Sequence, residues 1–108
     1  MTNNLNIPGA KDDGSKQLPW LVLGRFARAL SAMVRVGTFG AKKYTPRGWE
    51  SVPDGIERYR EALWRHLFAD AMGEENDPES GEAHLTHALW NLAAVNELLE
   101  RKKKSGEK

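Results

Sequence analysis

Residues 55–99, GIERYREALWRHLFADAMGEENDPESGEAHLTHALWNLAAVNELL, hold two helical patterns on either side of an eight-residue acidic turn, EENDPESG. This pairing decides the fold. In the first pattern Ile56, Tyr59, Leu63, Leu67 and Ala71 recur at intervals of three and four, the spacing of one helix face. Trp64, Phe68 and Ala71 fall on a second apolar flank about 90° away, so this helix needs two neighbours. Asp54 and Glu57 have capping-box spacing and set its start at Gly55, and Gly73 closes it. In the second pattern Leu85, Ala88, Leu89, Leu92, Val95 and Leu99 predict a further helix, with Ser80 as its candidate cap and the leucines as its core stripe. Trp90 lies almost opposite that stripe.

Upstream, Leu23, Phe26, Ala27, Leu30, Met33 and Val34, followed by Gly37, predict a first helix of about four turns, which Gly37 and Gly40 end. Between it and Gly55 runs a long loop, GAKKYTPRGWESVPDG. Residues 1–17 lack apolar periodicity and read as a flexible N-terminal loop. Residues 18–100 form one all-α domain, and the lysine-rich residues 101–108 a basic disordered tail. Three helices of this size cannot bury Trp64, Phe68 and Trp90 together with their own core stripes. The expected architecture is therefore a helical bundle of about three main helices per chain, completed by homo-oligomerisation, with these aromatics between subunits.

Composition narrows the function classes. At 108 residues the chain builds one domain, and 40% hydrophobic with 29% charged residues is the balance of a globular protein rather than a disordered one. The absence of cysteine excludes disulfides, thiolate metal sites and cysteine nucleophiles. No apolar run approaches the roughly 20 residues that span a bilayer, and the polar opening MTNNLN lacks the pattern of a secretory signal, so a cytoplasmic protein without a membrane partner is expected. The net charge of +1 hides a segregation. Residues 1–54 carry eight Lys/Arg against four Asp/Glu, residues 55–100 three against ten, and residues 101–108 five against one. A basic segment beside an acidic one suits a site that holds phosphates with one part and divalent cations with the other.

The candidate chemistry concentrates around the acidic turn. His84, His87 and Asn91 lie within about 60° of one another on the third helix, and His66 and Asp70 form an i, i+4 pair on the second, beside Tyr59. Antiparallel packing across so short a turn sets His66 opposite His87 and Asp70 opposite His84, above Glu74, Glu75, Asp77 and Glu79. Carboxylates are ligands for Mg²⁺ or Mn²⁺, and imidazoles donate to phosphate or bind softer metals. The spacing H-x-x-H lacks the internal base of an HExxH zinc hydrolase. In the preceding loop Lys42, Lys43 and Arg47 stand near Tyr44 and Trp49, cations for phosphates beside flat rings for a base. KDDGSK, residues 11–16, is only loosely like a phosphate loop.

The ordered series KDDGSK, FGAKKY, GW, Arg65–His66 and GEENDPESGEAHLTHALWN resembles the phage dATP/dGTP diphosphohydrolase N-terminal domain family, MazG-like nucleotide pyrophosphohydrolases, over about residues 9–99. The run Gly73, Glu74, Asp77, Pro78, Glu79, Ser80, Gly81, His84 is its most specific part. The resemblance implies an all-α oligomer with a Mg²⁺-dependent site, Mn²⁺ being an alternative ion, that splits purine deoxynucleoside triphosphates between the α and β phosphates. One departure is visible: the ExxE and downstream ExxD pair usual in MazG enzymes is missing from the second and third helices.

With that resemblance, Glu74, Asp77, Glu79, Asp70 and His84 are the expected metal ligands. Glu79 is the expected base, with His66 and Glu61 as further catalytic candidates. Lys16, Lys42, Lys43 and Arg65 would hold the triphosphate with His87, and Tyr44 and Trp49 would lie near base or sugar. The lysine tail is not expected to bind nucleic acid. The alternative of another class is a non-catalytic phage helical module that binds a nucleotide or a host protein.

Overall fold

The computed structural model describes residues 14–106. The expected boundaries at residues 1–13 and 107–108, including Lys11, Asp12 and Asp13 of KDDGSK, lie outside them. The fold is all-α: α1 spans Pro19–Leu23, α2 Ala27–Lys43, α3 Gly55–Ala71 and α4 His84–Lys104. A 3₁₀ turn, Gly24–Phe26, joins α1 to α2, and another, Gly48–Ser51, lies between α2 and α3. α4 is the central element. It packs along α3 most extensively and carries α2 on another side.

Of the seven buried side chains among the described residues, six are on α4 (His84, His87, Ala88, Asn91, Ala94 and Val95) and the seventh is Val36 of α2. Their spacing of three and four defines the inner face of α4, and this corrects the expected register. The leucine stripe is not the core: Leu85, Leu89 and Leu92 are exposed, about a third of a turn round the helix from the buried face. Small and polar side chains let α3 approach closely, and the leucines are left outside.

Trp90 also differs from expectation. It is half-buried against its own chain, where it was expected to face another subunit. Its ring meets Trp49 and Tyr59 edge-on, with centroids 5.7 Å away in each case, and the Tyr59 hydroxyl donates to the Trp49 carbonyl at 2.7 Å. This cluster ties the 3₁₀ turn to α3 and α4. Trp64 and Phe68 do remain outside, 51% and 61% exposed, against each other.

Gly37 and Gly40 do not end α2, which continues to Lys43. A Cβ on Gly37 would stand 3.0 Å from the indole nitrogen of Trp90, so the glycine admits α4 and contact with it outweighs the roughly 1 kcal/mol helical cost of a glycine. Asp54 precedes α3 as expected but forms no capping bond: its backbone is left-handed, φ 56°, which turns the side chain away from the first amides. Ser80 likewise does not cap α4, which begins four residues later. At the other end α4 runs through Arg101–Lys104, where a disordered tail was expected. There Arg101 bonds Glu97 at 2.7 Å and Glu50 at 2.8 Å and lies over the Trp49 ring.

The turn between α3 and α4 is closed by its own backbone. Gly73, φ 99°, ends α3 as expected: its N–H donates to Asp70 and that of Glu74 to Ala69, a Schellman cap. The Asp77 carboxylate accepts the N–H groups of Glu79 and Ser80 at 2.8 and 3.0 Å. The Gly81 N–H, at φ 77°, returns to the Asp77 carbonyl. A single antiparallel bridge, Asn76 to Ala83, zips the base, and the His84 N–H at the start of α4 donates to the Glu75 carbonyl.

Because Trp90 is the shared partner of Trp49 and Tyr59, Trp90→Ala should lower unfolding stability by about 3 kcal/mol in urea denaturation. A change below about 1 kcal/mol would show that the aromatic cluster does not hold the 3₁₀ turn in place.

Candidate functional site

α3 and α4, held antiparallel by the zipped turn, bring all three histidines together. His66 of α3 lies flat on His87 of α4, centroids 4.6 Å apart and planes within 13°, and its Nδ1 is 2.8 Å from Nδ1 of His84. The expected facing of His66 with His87 therefore forms. The second expected pair does not, because Glu74, carried back over the helix end by the Schellman cap, takes the place given to Asp70. Its carboxylate accepts the Nε2–H of His84 at 2.7 Å. His87 Nε2 pairs with the Ser80 hydroxyl at 2.6 Å, which also accepts the Glu82 N–H.

The environment sets the charge of these groups. Burial, reinforced by the neighbouring His87 and His84 rings, lowers the His66 pKa to about 4, and burial also lowers that of His87 against the pull of Asp77. Burial opposes ionisation of Asp77, but the N–H groups of Ser80 and Glu79 outweigh it and hold the carboxyl below its usual range.

Beside this cluster opens a cleft of about 620 Å³ between α2, the 44–54 connection, α3, α4 and the turn. Its wall carries four cationic side chains, Lys43, Arg47, Arg58 and Arg65, against two carboxylates, Asp77 and Glu79. Tyr44, Trp49, Tyr59 and Trp90 supply rings, and His66 and His87 face the same space. Lys43 is ion-paired with Glu79 at 2.6 Å, which raises the lysine pKa and clips the end of α2 to the turn.

Of the expected site residues, Lys43, Tyr44, Trp49, Arg65, His66, Asp77, Glu79 and His87 line the cleft. Glu74 and His84 lie behind its wall, joined to each other. Glu61 on the exposed side of α3, Asp70, Lys42 and Lys16 do not reach it. Lys42 precedes Lys43 by about 100° of helical turn, which points it elsewhere. Among the cleft and cluster residues outside that expected set are Arg58, Arg47 and Ser80. Arg58 gives no local signal. Arg47 was noted only as a cation near Tyr44. Ser80 could have been found from Asp-Pro-x-Ser, a turn signature that fixes the serine hydroxyl.

The chain matches the family model described as dATP/dGTP diphosphohydrolase, N-terminal, over residues 6–108, and it belongs to that family. No curated protein and no solved structure matches it. The family's description supports a nucleotide-hydrolase role.

An imidazole whose folded pKa lies below its ordinary value costs nothing above pH 6.5, where both states are neutral. It destabilises the fold progressively as pH falls toward 4, because the unfolded chain takes up the proton first. With a chelator present, the melting temperature should therefore drop between pH 7 and pH 5, and drop less in His66→Gln. An equal pH response in the two proteins would contradict the half-buried, neutral state of His66.

Proposed function

We propose that this chain hydrolyses a purine deoxynucleoside triphosphate, dGTP or dATP, to the monophosphate and pyrophosphate in the cleft between α2, α3 and α4. The observation that carries the reading is the cleft wall itself, where four cations and two carboxylates stand beside the rings of Tyr44, Trp49, Tyr59 and Trp90. A triphosphate brings several negative charges, which Arg58, Arg65, Arg47 and Lys43 neutralise, and a base, which Tyr44 and Trp49 can cover. Arginines also grip phosphate oxygens in pairs, fixing the α-phosphorus relative to the turn. Asp77, with one oxygen held by backbone amides, has its charge positioned to orient a water for attack. Glu79, released from Lys43 when phosphate takes the lysine, is the second carboxylate able to accept its proton. The family description, which names dATP and dGTP, supports the purine preference, and cleavage between the α and β phosphates is part of the same proposal.

Mg²⁺, which the resemblance brings with it, prefers hard oxygen donors in a near-octahedral array. The carboxylates expected to hold it are not gathered for that purpose. Glu74 is taken by His84, Glu79 by Lys43, Asp70 lies outside the cleft, and Asp77, which lines it, gives one oxygen to the turn amides. The described residues therefore do not form a carboxylate cage for Mg²⁺.

The same reading includes a homo-oligomer. Val36, Ala88, Ala94 and Val95 are the only buried apolar residues among those described, too little for a stable monomer. Phe26, Leu85 and Leu92 are each more than half exposed, as are Trp64 and Phe68. A second copy, presenting the same apolar faces, is the partner that would cover them.

Purified chain incubated with dGTP or dATP and Mg²⁺ or Mn²⁺ should release pyrophosphate and the deoxynucleoside monophosphate. Absence of turnover with either ion would reduce the chain to a nucleotide- or protein-binding helical module. Arg65→Ala should raise KM about tenfold. Asp77→Asn with Glu79→Gln should abolish turnover without loss of helicity, because asparagine keeps the oxygen that accepts the turn amides. Light scattering at micromolar concentration should report at least two chains, and a monomer would refute the oligomer.

A further inference from the structure

The mismatch between the residues present and a Mg²⁺ cage leaves one convergent donor set. Among the described residues, one ligand atom each from His66, Asp77 and His84 lies within 4.8 Å of the others. We propose that these three side chains hold a divalent transition-metal ion of the Zn²⁺ and Co²⁺ class at the floor of the cleft. Two imidazoles and one carboxylate are the donor types that such ions take, with further positions left open for water or substrate oxygen, whereas Mg²⁺ takes oxygen.

The orientation of each donor is already set by a neighbour. His84 gives its Nε2–H to Glu74, so its Nδ1 carries the lone pair, and a carboxylate behind a ligand imidazole is the usual outer support of a metal-bound histidine. That lone pair faces Nδ1 of His66 at 2.8 Å. Two imidazole lone pairs at this distance repel unless a proton or a cation lies between them. In the free protein the proton on His66 Nδ1 fills that role. On binding an ion the proton moves to Nε2 of the same ring, and both Nδ1 atoms become ligands. The His66 ring is kept in plane by its stack on His87, itself tied to Ser80. Asp77 accepts the two turn amides through Oδ1, which leaves Oδ2 for the ion. His84 is buried, while His66 and Asp77 open onto the cleft, which gives an ion its way in.

This assignment concerns the free protein and stands without the hydrolytic reading, so it is tested without nucleotide. The untagged full-length chain, stripped of metal, is titrated with Co²⁺ and followed by its visible absorption, the only imidazoles being the three in the sequence. The expected result is a d–d band saturating at one Co²⁺ per chain, displaced by stoichiometric Zn²⁺ but not by a thousandfold excess of Mg²⁺. His66→Gln or His84→Gln should abolish the band with helicity retained, and Glu74→Gln, which keeps both ligands, should weaken binding by about 10- to 100-fold. If a histidine variant does not fold, the wild-type displacement by Zn²⁺ and the Glu74→Gln shift still decide. No band, ready displacement by Mg²⁺, or an unchanged band in the folded variants would overturn the site.

Discussion

The face that α4 turns inward is the constraint from which the rest follows. It buries two imidazoles and an amide together with small apolar residues, where a helix of this length ordinarily buries leucines. A face of that kind lets α3 lie close but removes little apolar area from water. The polar groups on it must therefore be bonded to one another. The Asn91 side chain donates to the His87 carbonyl at 2.8 Å, His87 pairs with Ser80 and His84 with Glu74, and no buried side-chain nitrogen or oxygen among the described residues lacks a partner. Burial spent on polar chemistry leaves the leucines outside, and the proposed second copy is what would cover them.

The loop between α3 and α4 is as much a part of the site as the helices. Its Asp-Pro turn, its two left-handed glycines and its bridge determine where Asp77, Ser80 and Glu82 stand. Two ion pairs then reach from it to α2: Lys43 with Glu79, and Arg35 with Glu82 at 3.1 Å. Exposed pairs of this kind add little stability each, but they align the basic wall with the acidic one. A phosphate that competed for Lys43 would loosen one of the two clips and free Glu79.

The all-α architecture and the α3–turn–α4 hairpin were legible, because strong three-and-four periodicity and a compact run of turn residues agree. The register of α4 was not. Leu85, Leu89 and Leu92 outweigh the small and polar residues of the buried face in any hydrophobic pattern, so the periodicity centres on the leucines. Asp54 had the right residue type for a cap but the wrong backbone. Gly37 looked like a stop because its packing partner, Trp90, is over fifty residues away. The histidine seam was readable from helical rise alone, whereas the meeting of Glu74 with His84 was not, because the Schellman cap that swings Glu74 there is a three-dimensional event.

The most direct measurement is a crystal structure of the chain with an α,β-imido deoxynucleoside triphosphate, which cannot be split between those phosphates. The account predicts the phosphates among Lys43, Arg47, Arg58 and Arg65, the base against Tyr44 or Trp49, and Asp77 nearest the α-phosphorus. A nucleotide bound elsewhere, or a cleft whose cations face away from it, would contradict the account.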